Sequence, residues 1–425
     1  MISHGNRWLF IDKFAKVYYD QTKIAFKFGH NMYIPRDLTS TYHSAITQFP
    51  AVLITGPRQS GKSTFLRKVS NDIPYITFDD PLNREFARED PNAFLNQFEG
   101  LPAILDEIQY VPEILQYIKI RIDNERKPGS WIMTGSQQFS LMKGISETLA
   151  GRIAILELLP FSLKENQALA KSLSDILWTG LYPEPACNPE KRELWVKSYI
   201  QTYIERDVRQ VENIRDFRAF EMFVNLCAAY HSQEFHPADL ARDCGVSQPT
   251  IKSWGSILER SYILIMLPPF FRNYGKRLIK TPKVYFLDSS PVCFLTRQPS
   301  AESALRGSMG GRLFEGLIIC DIWKTFVNAG KRPTVFFSRT QGGFEVDLII
   351  QARGRFWPIE IKLTSTPSAK QVKSLNRFKG LAGDEAGDTG VLVCNIEKKQ
   401  NMPQGNIAMP WFSFSEWVRE LITGS

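Results

Sequence analysis

The sequence predicts an α/β protein of several domains, and three stretches carry that expectation. Residues 51–69 read as an apolar strand, a glycine-rich turn and a helix. Residues 236–260 read as two short helices around a glycine turn, and residues 335–363 as alternating strands that bring Asp347 and Glu360 onto neighbouring positions. Mixed helix and strand patterns of this kind belong to layered α/β domains.

In the first stretch, Ala51-Val52-Leu53-Ile54 leads into Gly56-Pro57-Arg58-Gln59-Ser60-Gly61-Lys62-Ser63-Thr64, and a helical run follows through Val69. Glycines let successive backbone N–H groups converge on an anion, and the helix N-terminus adds partial positive charge. Lys62 supplies a point charge for β- and γ-phosphates, and the Ser63 hydroxyl is a Mg²⁺ ligand. The spacing predicts a nucleoside triphosphate site, with ATP and Mg²⁺ as cofactors.

Further strands follow at 73–78, 101–105, 131–133 and 153–158. The third runs directly into Asp106-Glu107. Asp106 is the expected Mg²⁺ carboxylate, and Glu107 the expected general base that polarises the attacking water. The fourth strand ends in Thr134-Gly135-Ser136-Gln137, where Ser136 or Gln137 is placed to sense the γ-phosphate. Arg152, just ahead of the fifth strand, is a candidate arginine finger. A finger acting in trans implies a dimer or ring, so a homo-oligomer is the matching expectation.

Composition narrows the class. The chain has 425 residues, 43% of them apolar, enough for about two to four domains. Fifty-two Lys and Arg against 44 Asp and Glu give a net charge of +8, compatible with a nucleic-acid partner and too mild to establish one. Six cysteines, at 187, 227, 244, 293, 320 and 394, form no C-x-x-C and no zinc spacing with the five histidines. Reduced thiols, a cytoplasmic location and no membrane partner are expected. The N-terminus has no signal-peptide pattern, and the apolar stretch 262–271 is short and holds two prolines.

These residues resemble a known family. The GPRQSGKST loop, LDEIQ, TGSQQF, LAGR, LLPFSLKE, Gly180-Leu181-Tyr182-Pro183 and Tyr203-Ile204-Glu205-Arg206-Asp207-Val208 look like the prokaryotic AAA-type P-loop ATPases that carry a C-terminal nuclease-like domain. The likeness runs from about residue 32 to the C-terminus. It implies a RecA-like ATPase core at 32–165, a helical connector at 166–228, a winged helix-turn-helix at 229–300 and a restriction-endonuclease-like domain at 301–425. Residues 1–31 form an aromatic-rich extension outside it.

The residues of the later segments agree. In the connector, Trp195, Val196, Tyr199, Ile200, Tyr203 and Ile204 recur at helical spacing, with Arg206, Asp207 and Arg209 at the polar end. Gly245 makes the turn between two short helices, Ser247 caps the second, and Gln248, Thr250, Lys252 and Ser253 are able to touch phosphates or bases. Arg272, Lys276, Arg277, Lys280 and Lys283 follow with no acid from 272 to 283, the charge pattern of a hairpin lying on nucleic-acid backbone.

Near the C-terminus, Glu315 falls on an amphipathic helix, Asp347 on one strand, and Glu360 and Lys362 on one face of the next. Two carboxylates beside a lysine suit a divalent metal that activates water. The set resembles the PD-(D/E)XK nuclease core, with Val346 where a proline often stands. On that scheme Asp347 and Glu360 bind Mg²⁺, and Lys362 stabilises charge or orients the water. The favoured expectation is an ATPase acting on DNA through the winged helix and the C-terminal domain. The alternative is an ATP-controlled signalling or scaffolding switch whose nuclease-like domain is inactive and binds protein.

Overall fold

Five short strands build the first sheet: β1 (Ala51–Thr55), β2 (Tyr75–Thr77), β3 (Ala103–Asp106), β4 (Trp131–Thr134) and β5 (Ile153–Glu157). All are parallel, in the order β2-β3-β4-β1-β5. The central ones are buried on both faces, which is why they read as continuous apolar runs with no alternation. Phe78, Phe94, Leu105, Ile118 and Met133 pack on one side, and Tyr42, Ile54, Phe65 and Ile132 on the other. The order places the tip of β4 between β1 and β3, so the loop after β1, the acids after β3 and Thr134 converge at one edge.

The computed structural model describes residues 33–135, 148–204, 214, 216–270, 281–339 and 344–424. Ser136, Gln137, Arg206, Asp207, Arg209, Arg272, Lys276, Arg277, Lys280 and the 1–31 extension lie outside the described residues. Residues 36–424 belong to one compact unit.

After β5 the chain is helical, with helices at Leu173–Thr179, Pro183–Cys187 and Arg192–Tyr199. Trp195 and Tyr199 stack at 4.9 Å, and the Tyr182 and Tyr199 hydroxyls are 2.7 Å apart. Three helices then follow at Phe217–Ala229, Pro237–Cys244 and Gln248–Arg260. They pack with β6 (Gln233–Glu234), β7 (Leu264–Leu267) and β8 (Lys283–Phe286), antiparallel in the order β6-β8-β7. Gly245 ends the middle helix at φ 68°, and the Ser247 hydroxyl accepts from the Thr250 N–H, so the turn and the cap fall where the sequence placed them.

The last part is a six-stranded mixed sheet of β9 (Val335–Arg339), β10 (Glu345–Ala352), β11 (Arg355–Lys362), β12 (Val391–Cys394), β13 (Gln400–Met402) and β14 (Asn406–Pro410), in the order β13-β14-β12-β11-β10-β9. Against it packs Gly310–Asn328, which is not the amphipathic helix the sequence suggested. It is buried on nearly every face, touching β5, β8, β11 and the helix Phe414–Thr423. Among the described residues no helix is long and apolar enough to cross a membrane.

Candidate functional site

The glycine-rich loop is shaped by backbone geometry. Gly56 sits at φ 139°, and a Cβ there would lie 2.3 Å from the Leu158 carbonyl oxygen, so only glycine fits. Gln59 (φ 61°) and Gly61 (φ 93°) are left-handed, the alternation that curls backbone N–H groups into an anion-binding concavity. The helix Lys62–Val69 begins at its rim. The Lys62 ammonium arches back over the loop, donating to the Gly56 carbonyl at 3.1 Å and the Pro57 carbonyl at 2.9 Å.

Opposite the loop, the Ser63 hydroxyl lies 3.0 and 3.2 Å from the two carboxylate oxygens of Asp106. Two more hydroxyls donate to the same carboxylate, Tyr75 to Oδ2 and Thr134 to Oδ1. Burial and the Asp106 charge push the Tyr75 phenol well above its ordinary pKa, so it remains a donor. Thr134 Oγ1 also accepts the Glu107 N–H at 3.1 Å. Glu107 itself is left-handed (φ 59°), and its carboxylate accepts from the buried Gln109 side chain. A non-glycine residue held in this region at a strand tip is the kind of strain found at reacting centres. A hydroxyl and a carboxylate this close can stand in the coordination shell of one ion, so Ser63 and Asp106 fit Mg²⁺.

The loop residues, Lys62, Ser63, Asp106 and Glu107 are thus brought to one edge of the sheet, as the sequence predicted. Arg152 is not. It precedes β5, and its backbone neighbour Ala51 begins β1, so it lies at the opposite edge of a parallel sheet, about 16 Å from the loop. Its Nε donates to Asp123 at 2.6 Å, and it cannot serve its own chain's nucleotide. Thr134, Tyr75 and Gln109 were not singled out by the sequence. Thr134 and Gln109 lie in the TGSQQF and LDEIQ runs, whereas nothing marks Tyr75.

The C-terminal residues also meet. Asp347 stands where β10 carries one residue more than β9, a bulge between Val346 and Ile349 that turns its side chain toward β11. There Asp347 Oδ2 accepts from the Ile361 N–H at 2.8 Å and from Lys362 Nζ at 2.7 Å. The same ammonium lies 2.9 Å from Glu360 Oε2, while Ser374 donates to Glu360 Oε1 at 2.6 Å. Burial, then the Asp347 charge, push the Glu360 carboxyl up to about 8 against the opposing pull of Lys362. Burial opposes the Lys362 charge, yet the two carboxylates outweigh it and hold its pKa above the ordinary value.

Asp347 and Glu360, the expected metal pair, face the same Lys362 ammonium at 2.7 and 2.9 Å, and among the described residues no group of three or more His, Cys, Asp or Glu side chains is arranged to hold a metal. Glu315 turns to its own partners, Lys283 Nζ at 3.2 Å and the Tyr285 hydroxyl at 2.7 Å. Lys283 departs from the wing cation the sequence suggested. It is 4% exposed and also pairs with Glu345 at 2.7 Å, so it is not a cation open to nucleic acid.

Beside Glu360 opens a cleft of about 450 Å³, rimmed by Lys370, Lys373 and Arg377 and floored by Asp347, Glu360 and Lys362. The three rim cations are exposed and make no ion pair among the described residues. A second cleft of about 410 Å³, bordered by Arg312, Arg339 and His236, shares Glu345 and Asp347 with the first.

Comparison with known proteins places these sites in context. Residues 48–167 match the model of an AAA domain, and residues 170–302 and 310–414 match two domains of unknown function. Uncharacterized proteins of Mycobacterium bovis and Mycobacterium tuberculosis are each 32% identical over 337 residues, covering 78% of this chain and 75% of theirs. One from Methanocaldococcus jannaschii is 22% identical over 361 residues, covering 76% and 78%. Among solved structures, the Walker-type ATPase of Pyrococcus abyssi is similar at 16% identity and a TM-score of 0.43, covering 62% of this chain and 96% of that one.

Proposed function

The chain belongs to one family with its mycobacterial relatives and carries an AAA domain of the P-loop ATPase type, and from that premise we propose that it couples ATP hydrolysis to nucleic acid bound in the C-terminal cleft. For the ATPase step, the loop amides receive the phosphates, and Lys62 exchanges the Gly56 and Pro57 carbonyls for β- and γ-phosphate oxygens. Ser63 and Asp106 would hold Mg²⁺, which would supply positive charge to the phosphates when bound. Glu107 takes the proton of the attacking water, Gln109 fixes the direction of its carboxylate, and Thr134 ties Glu107 to Asp106.

The observation that carries the nucleic-acid reading is the rim of Lys370, Lys373 and Arg377, three exposed cations facing one cleft. On this reading the three helices with β6-β8-β7 form a winged helix-turn-helix, and the six-stranded sheet is a restriction-endonuclease-like domain that binds and does not cut. Lys362 locks the carboxylates that a nuclease would offer to a metal.

Changing Lys370, Lys373 and Arg377 together to alanine should weaken DNA binding and reduce the slope of log affinity against log salt by about 2 to 3. The measurement is fluorescence anisotropy on single-stranded and duplex DNA across a salt series. An unchanged slope would remove the cleft from the nucleic-acid reading and favour a protein partner. No fragments are expected in Mg²⁺ or Mn²⁺; cleavage that disappears in Asp347→Ala would reinstate the nuclease.

A further inference from the structure

Two stretches of the sequence have no role in the scheme above: Arg36, just ahead of the first helix, and the Leu158–Glu165 run that follows β5. In the fold they meet directly behind the phosphate loop. Arg36 is 6% exposed. Its Nη1 donates to the carbonyl of Ser60, in the middle of the loop, at 2.9 Å. Its Nη2 donates to the Leu159 carbonyl, its Nε stands 3.1 Å from Glu165 Oε2, and its guanidinium lies 5.0 Å from the centre of the Phe161 ring. Glu165 in turn accepts from the backbone N–H groups of Asp37 at 2.6 Å and Ser162 at 2.9 Å. The guanidinium's two terminal nitrogens reach the two carbonyls in one rigid plane while its charge faces Glu165, a fixed geometry that the rotatable ammonium of lysine does not impose.

We propose that Arg36 is a positioning residue for ATP hydrolysis, one that aims the phosphate loop from behind. A trans peptide plane holds its C=O and N–H on opposite sides. Fixing the Ser60 carbonyl against Arg36 therefore turns the Gly61 N–H away from Arg36, toward the concavity where phosphate binds. Ser60 is flanked by the left-handed Gln59 and Gly61, conformations that persist only when their surroundings hold them.

The anchor on the other side is equally fixed. Lys324, buried in the central helix, donates to the Phe161 carbonyl at 3.0 Å, and Asp321 of the same helix accepts the Leu163 N–H at 2.7 Å. The loop thus leans on a buried ionic strut, and the strut leans on the helix Gly310–Asn328.

The test compares Arg36→Lys and the double variant Arg36→Met/Glu165→Gln with wild type. Arg36→Lys keeps a charge opposite Glu165 and loses the fork, and the double variant removes both charges together, so neither leaves a buried charge unpaired. Both should melt close to wild type. Each should weaken binding of a fluorescent ATP analogue (mant-ATP) and raise the KM for ATP by about 10- to 100-fold, with the smaller loss in Arg36→Lys. Folded variants with wild-type KM and mant-ATP affinity would overturn the proposal. So would failure of both to fold, because Arg36 would then be a strut of the fold with no separate effect on the loop.

Discussion

Lys62→Ala is expected to lower ATP turnover by about 100- to 1,000-fold, the loss typical of removing one preorganised group that meets developing charge. Lys62 Nζ already lies over the loop, 2.9 and 3.1 Å from two carbonyls that hold it until phosphate arrives. Alanine deletes that charge and its two bonds to the Gly56 and Pro57 carbonyls, while the backbone conformations of Gly56, Gln59 and Gly61 that curve the loop belong to other residues. Stability should therefore change little while nucleotide affinity and turnover both fall. Glu107→Gln is the informative contrast. It keeps the phosphate cradle and removes only the base, so mant-ATP should still bind while turnover is lost. A Lys62→Ala protein that hydrolyses ATP at the wild-type rate would remove this loop from the reaction.

The first sheet was legible because its chemistry is written in contiguous residues. A strand, a loop and a helix follow one another between Ala51 and Val69, and local geometry alone makes the anion site. The Asp106-Glu107 pair was legible for the same reason, as an apolar strand ending in acids. Arg152 stands away from its own chain's loop, and the signal for that was present: a residue ahead of a parallel strand lies at the sheet edge opposite the loops that follow the strands. Lys283 was misread because a sequence gives charge and not burial, and its partners Glu315 and Glu345 come from other elements. The meeting of Arg36 with Glu165 was invisible, since tertiary packing alone brings the two stretches together. Lys362 was placed on the correct face of its strand by period-two alternation. That its ammonium would reach both Asp347 and Glu360 depended on the bulge at Asp347, which no local pattern announces.

Gly316→Ala should destabilise the chain by about 3 kcal/mol or more, through one collision. Gly316 lies on the central helix, and a Cβ there would stand 2.0 Å from His231 Nε2. His231 is buried at 1% exposure and cannot step aside freely, because its Nδ1 accepts the Phe286 N–H at 3.1 Å. The new methyl therefore costs strain and the hydrogen bond that pins the ring.

The remedy identifies the cause. In a His231→Ala background the same methyl enters vacated space, so the two substitutions together should cost about 1 to 3 kcal/mol less than the sum of their separate effects in denaturant titrations. Additive losses would place the damage elsewhere. The same histidine predicts a pH effect. Burial, helped by Arg312, lowers its pKa from 6.5 to about 3, so as pH falls through that window the unfolded chain takes up a proton that the folded chain refuses. Stability contributed by His231 is complete above its ordinary pKa and declines toward acid, at up to about 1.4 kcal/mol per pH unit. Asp321, raised to about 6, and Glu360, raised to about 8, act with the opposite sign, losing stability as pH rises through their windows. The difference between wild type and His231→Ala isolates the histidine: the variant should lose the acid-side decline, and parallel stability curves between about pH 4 and 6 would show that His231 accepts a proton in the folded chain.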